Sequence, residues 1–72
     1  MGIYPNIKKA RTDRNLTQKE ICEHLGMPQP QYLRYETGQR EMPLHYLIDL
    51  AKFYNVSIDY LAGLTEEEKP LV

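Results

Sequence analysis

Between Gln18 and Arg40 the chain gathers side chains that hydrogen-bond in two-pronged fashion: Gln18, Gln29, Gln31, Arg34, Gln39 and Arg40, with Thr37 adding a hydroxyl. A glutamine amide carries an acceptor beside two donors, which matches the N6 and N7 edge of adenine. An arginine fork matches O6 and N7 of guanine. Gln29 is therefore a candidate for adenine and Arg34 for guanine, each good bidentate pair being worth about 1–3 kcal/mol of discrimination. Gln31 suits a base or a phosphate. Pro30 and Leu33 have no side-chain donor and suit a thymine methyl, although Leu33 could equally close the edge of a core. Gln18 at a helix start, and Thr37, Gln39 and Arg40 in the following loop, suit phosphate oxygens. The plain alternative for Gln29, Gln31 and Arg34 is exposed polar surface, and for Gln18 simple capping surface.

Other chemistries lack a constellation. Cys22 is the single cysteine, so it can form no internal disulfide, and no Cys/His set has zinc-site spacing. It reads as a small buried residue, with redox sensing as the competing option. His24 is expected to point to solvent and His45 to start the fourth helix; neither has a nucleophile or metal ligand near it in sequence. Paired catalytic carboxylates, a nucleophile motif and a phosphate loop are all missing, so no enzyme, cofactor or metal is expected. The six tyrosines could stack on single-stranded bases, but their helical spacing fits a core or an interface better. Asn6 stands where an N-myristoylation signal beginning at Gly2 needs Ser or Thr. The N-terminus has no signal-peptide run, and no stretch approaches the ~20 apolar residues of a membrane span. A reducing cytoplasm is the expected location.

Net charge is −1 over 72 residues, but it is unevenly spread. Residues 1–40 hold seven basic residues (Lys8, Lys9, Arg11, Arg14, Lys19, Arg34, Arg40) against four acidic ones, whereas 41–72 hold two against six. The first part can present a basic field to phosphates, with Lys8, Lys9 and Lys19 contributing at a distance. Thr65 to Val72 read as a frayed, acidic tail, with Glu66, Glu67 and Glu68 solvated.

The elements that must position these groups are all helical, since no segment alternates as a strand. Helix one spans about Pro5 to Arg14, with Ile3, Ile7 and Ala10 on one side. Thr17 and Glu20 form a capping box for helix two, flanked by a Leu16/Ile21 staple, and Gly26 ends it. Its inward residues are Ile21, Cys22 and Leu25. Helix three spans about Gln29 to Thr37, with Pro28 and Pro30 pinning its start and Gly38 its end. At 100° per residue, Tyr32, Tyr35 and Glu36 share one face; Pro30, Arg34 and Thr37 lie opposite, flanked by Gln31 and Leu33. Helix four spans about Leu44 to Tyr54, with a stripe of Leu44, Leu47, Ile48, Ala51 and Tyr54. Leu50 and Phe53 widen it, so it is expected to be the most buried. Asn55 caps it, and Ser57 caps helix five, about Ile58 to Ala62, with Val56 and Leu61 at staple spacing.

Two helices joined by a short glycine-containing turn make a helix-turn-helix, and Gln18 to Thr37 fits that form. Asn15-Leu16-Thr17-Gln18-Lys19-Glu20-Ile21-Cys22 resembles the entry to this motif in the phage repressor/Cro-like (XRE) family. Tyr35-Glu36-Thr37-Gly38-Gln39-Arg40 resembles its helix-ending segment, and Leu44 to Gly63 resembles the family's last two helices. The likeness covers about residues 3–64. It implies an all-α, five-helix, lambda-repressor-like fold that places helix three in the major groove of double-stranded DNA. It also implies a homodimer on a palindromic operator, and so a transcriptional regulator, a repressor foremost. It assigns Gln18 to phosphate and matches Arg11 and Glu36 to a charged pair joining helices one and three. Leu33 departs from a position that often holds Ser. Exposed apolar residues and the resemblance together point to Ile58, Leu61 and Leu64 as the dimer interface, with Leu71-Val72 able to join it.

The expected organisation is a DNA-binding domain over 1–64 and an acidic tail over 65–72, with no linker or repeat. With Met1 at its start and its end past the fifth helix, the chain is expected to be whole. The competing reading is an antitoxin or co-regulator that works through a protein partner held by the acidic C-terminal portion.

Overall fold

A computed structural model describes residues 4–70. Gly2, Ile3 and the Leu71-Val72 pair lie outside the described residues. Five helices follow in order: α1 (Asn6–Asp13), α2 (Gln18–Leu25), α3 (Gln29–Thr37), α4 (Leu44–Tyr54) and α5 (Ile58–Ala62). Among the described residues there is no strand, and no helix is long and apolar enough to cross a membrane.

The helix ends fall where the capping chemistry puts them. The Thr17 hydroxyl accepts from the Glu20 N–H while the Glu20 carboxylate accepts from the Thr17 N–H, closing the capping box. The Ser57 hydroxyl accepts from the Tyr60 N–H at the start of α5. Gly26 closes α2 in the left-handed region at φ 70°, and Asn55 does the same for α4 at φ 56°. The α1–α2 corner turns on Asn15, which also has positive φ, and is closed from within by the Arg11 guanidinium donating to the Leu16 carbonyl at 2.7 Å.

α1 packs on α5, α2 on α3, and α4 on α5. Ile7, Ala10, Ile21, Cys22, Leu25, Tyr32, Tyr35, Leu47, Leu50, Ala51, Tyr54, Val56, Tyr60 and Leu61 are buried in one core, joined by Met27 and Met42 from the connecting loops. Burying a side chain of Leu or Ile size stabilises by about 1.5–3 kcal/mol. Met42 therefore anchors the α3–α4 loop, although its neighbours Glu41 and Pro43 are exposed.

Two expectations are corrected. Leu44 and Phe53 belong to the surface of α4 rather than its stripe: Leu44 begins the helix before the core closes over it, and Phe53 lies on the flank where His24 stacks, ring centroids 4.1 Å apart. His24 is exposed on α2 as expected, and its ring also meets Asp49 at 3.0 Å. The segment 65–70 is not frayed. The Ser57 N–H donates to the Lys69 carbonyl at 3.0 Å, and Glu68 forms an ion pair with Arg14. Arg14 in turn donates to the Ala10 and Tyr54 carbonyls at the ends of α1 and α4, and its guanidinium lies 4.9 Å from the Tyr54 ring centre.

Candidate nucleic-acid interface

The site is built outward from one buried carboxylate. Tyr32 and Tyr35 turn the inner face of α3 into the core, which brings Glu36 between α1 and α2 with its side chain 3% exposed. An ionised carboxylate there needs a countercharge and filled lone pairs. Arg11 supplies a fork, Nε to Oε2 at 2.6 Å and Nη2 to Oε1 at 3.2 Å. The Tyr32 hydroxyl donates to Oε2 at 2.6 Å and the Gln18 amide to Oε1 at 3.2 Å. Burial alone would push the Glu36 carboxyl up. The hydrogen bonds from Arg11, Tyr32 and Gln18 outweigh it, and the group is held below the usual glutamate range. Burial, and then the bond to Glu36, raise the Tyr32 hydroxyl well above the usual tyrosine value.

Around this post the outer face of α3 is open. Gln29, Pro30, Leu33, Arg34 and Thr37 are exposed, and Gln31 is half-buried. Leu33, at 43% exposure, sits on the surface and not at a core edge. Among the described residues no carboxylate pairs with Arg34 or Arg40, so both guanidiniums have their donors available. Gln39 and Arg40 are exposed in the loop that leaves α3, where the Arg40 N–H donates back to the Arg34 carbonyl at 3.1 Å. Gln29 donates to the Gln18 carbonyl oxygen Oε1 at 3.3 Å, which joins the starts of α2 and α3 by their side chains.

Besides Gln18 and Gln29, two further sequence candidates are partly committed. The Thr37 hydroxyl donates to the Leu33 carbonyl at 2.9 Å, so it must rotate before it can donate to a phosphate. Gln31 spends one amide proton on the Tyr35 hydroxyl at 3.2 Å. Both bonds link residues four apart on one helix, a spacing that invites such local competition.

The expected dimer surface divides. Leu64 is 79% exposed and Ile58 is half-buried against the core. Leu61 is fully buried and belongs to the core. It cannot form an interface without unfolding α5, so its assignment to one is withdrawn. The residues that sequence reasoning did not connect are Tyr32 and Gln18, as ligands of Glu36. The i, i+4 spacing of Tyr32 and Glu36 was the available signal for the first.

Comparison with known proteins matches the helix-turn-helix family model over residues 7–61. The HTH-type transcriptional regulator ImmR of Bacillus subtilis (strain 168) is 36% identical over 69 residues, covering 96% of this chain and 54% of ImmR. YobD, an HTH-type transcriptional regulator from the same organism, is 35% identical over 66 residues, covering 92% and 59%. RstR, the cryptic phage CTXphi transcriptional repressor of Vibrio cholerae, is 37% identical over 60 residues, covering 83% and 54%. The chain thus spans little more than half the length of these relatives. No solved structure matches.

Proposed function

The chain belongs to the Cro/C1-type helix-turn-helix family, and we propose that it is a sequence-specific DNA-binding transcriptional regulator that lays α3 in the major groove. The observation that carries this reading is the open outer face of α3, whose exposed Gln29 amide and Arg34 guanidinium keep donors free and are mounted on the buried Arg11–Glu36 pair. Gln29 reads adenine and Arg34 guanine, Gln31 bonds a base or a phosphate, and Pro30 and Leu33 meet thymine methyls. Gln18, Gln39 and Arg40 hold phosphates, with Thr37 joining them after rotation. Residues 1–64 form the reading unit and 65–72 its tail, and the cytoplasm is its place of work. Repression is assigned on the named role of its relative RstR.

The unit acts as a homodimer on an inverted repeat, its two recognition helices about 34 Å apart. Leu64 and Ile58 offer apolar surface for self-association. Leu64→Asp is expected to give a monomer in sedimentation equilibrium; a variant that stays dimeric moves the interface elsewhere.

Selection from a randomised duplex library, followed by salt titration of the best site, tests the whole reading. An enriched inverted repeat is expected, with log affinity falling by roughly 0.9 per phosphate contacted for each unit of log salt. Failure to enrich any sequence where non-specific binding persists would transfer the assignment to a protein partner.

A further inference from the structure

Glu36 accepts four hydrogen bonds, two from Arg11, one from Tyr32 and one from Gln18. That fills the roughly four lone-pair sites of a carboxylate. The filling has a directional consequence. An ionised carboxylate can only accept, so Gln18 has to face it with Nε2. The Gln18 Oε1 is thereby turned away from Glu36, and it accepts from Gln29 Nε2 at 3.3 Å. An acceptor at that point obliges Gln29 to face Gln18 with its own nitrogen. What Gln29 has left is Oε1 and one remaining N–H, the two groups that pair with N6 and N7 of adenine.

We propose that Glu36 is a positioning residue for sequence readout: through Gln18, its buried charge fixes which way round the Gln29 amide faces, and so the order in which acceptor and donor meet the base edge. An amide free to flip would offer either order and tolerate either orientation of an A·T pair. An amide polarised from behind offers one. The ion pair at the heart of the helix packing is then more than a brace between α1 and α3. It sits two hydrogen bonds from the Gln29 amide that meets the base edge, and each of those bonds transmits polarity because each amide has unlike ends. Glutamate suits this post where an uncharged residue does not, because only an obligate acceptor sets the direction of the first bond.

This inference rests on the DNA reading above, and two measurements separate their failures. The first is the side-chain amide resonance of Gln29 in the free protein, recorded by ¹H–¹⁵N NMR for the unaltered chain, Gln18→Met and Glu36→Gln. The second is the base preference of the same proteins in duplex selection, with Gln29→Ala locating the base pair that Gln29 reads. Gln18→Met is expected to move the Gln29 resonance and to lower discrimination at that one pair roughly fivefold or more. Loss of a phosphate contact would lower affinity equally across all sequences, which distinguishes the two roles of Gln18. Glu36→Gln, whose amide can turn either end toward Gln18, is expected to do the same. If it does not fold, Gln18→Met alone decides. An unmoved Gln29 resonance, or unchanged preference at that pair with a uniform loss of affinity, overturns the relay. An unaltered protein that enriches no site overturns the DNA reading and the readout role with it, even where the NMR shows the hydrogen bonds in place.

Discussion

Tyr32 and Tyr54 are both buried, and burial raises both hydroxyls above the usual tyrosine value, yet the molecule treats them differently. Tyr32 donates to Glu36 at 2.6 Å, within a network that reaches α1 and α2. Among the described residues the Tyr54 hydroxyl has no hydrogen-bond partner, and its ring serves as a plate against which Arg14 lies. Beneath the candidate interface the core is polar, charged and filled. On the α4–α5 side it is apolar, with polar contacts at helix ends, in the tail and, through Asp49, at the surface of α4. The contrast separates a region built for orientation from one built for burial. A buried ion pair is weak evidence for stability but costly to break, so the value of the first region has to lie in the geometry it imposes on α3.

Removing one member of the pair should have the largest effect. Arg11→Ala leaves Glu36 buried without its countercharge and is expected to cost about 3–5 kcal/mol in urea denaturation. It also changes the response to acid. Because the folded state holds Glu36 below the usual glutamate range, its contribution is present above the unfolded pKa and is lost as pH falls through the folded one. Denaturation between neutral pH and the acid range should therefore show stability falling with pH in the unaltered chain. The share of that slope due to Glu36 should shrink in Arg11→Ala, where burial is less opposed. An unchanged slope would mean that the carboxylate is not governed by Arg11, and the contrast between the regions would fail.

Tyr32→Phe comes next. It removes a donor to a charged acceptor and leaves one lone pair of a buried carboxylate unfilled, for a loss of about 1.5–3 kcal/mol by the same measurement. Gly63→Ala probes the other region through its backbone. Gly63 has φ 85°, and a Cβ there would stand 2.9 Å from Pro5 Cγ, so the α5–tail corner should lose about 1 kcal/mol or more in thermal melts.

Much of the fold was legible because its helix ends are written in short-range chemistry. Thr17 with Glu20, Gly26, Ser57 and Asn55 each act within a few residues, and the observed bounds of α3, α4 and α5 coincide with those expected. What failed was the direction of faces. α5 has five residues, fewer than two turns, so periodicity could not tell that Leu61 points inward while Leu64 stays out. Leu44 and Phe53 fell within a stripe drawn too wide, since seven of the eleven positions of α4 were counted apolar and inward. The tail contacts of Glu68 and Lys69 are long-range in sequence and leave no local pattern. For the site, residue types were readable but their prior commitments were not. That Thr37 bonds back to Leu33, or that Gln18 faces Glu36, depends on rotamers chosen by the packed helices.

The smallest effect is the sharpest check of the contrast. Tyr54→Phe deletes a hydroxyl that has no partner among the described residues, so no hydrogen bond seen there is lost and a polar atom is taken out of the core. The ring stays, and with it the surface on which Arg14 lies. Where a buried polar group is uncompensated, replacing it with an apolar one of the same shape is close to neutral or stabilising. The expected change is within about 0.5 kcal/mol of zero, or favourable, in paired urea titrations with Tyr32→Phe. A loss as large as that of Tyr32→Phe would show that Tyr54 is held by a polar contact of its own, and that the α4–α5 side is also organised around hydrogen bonds. A null result beside a large Tyr32 effect would locate the orienting network on the α3 side of the core, behind the residues that face the groove.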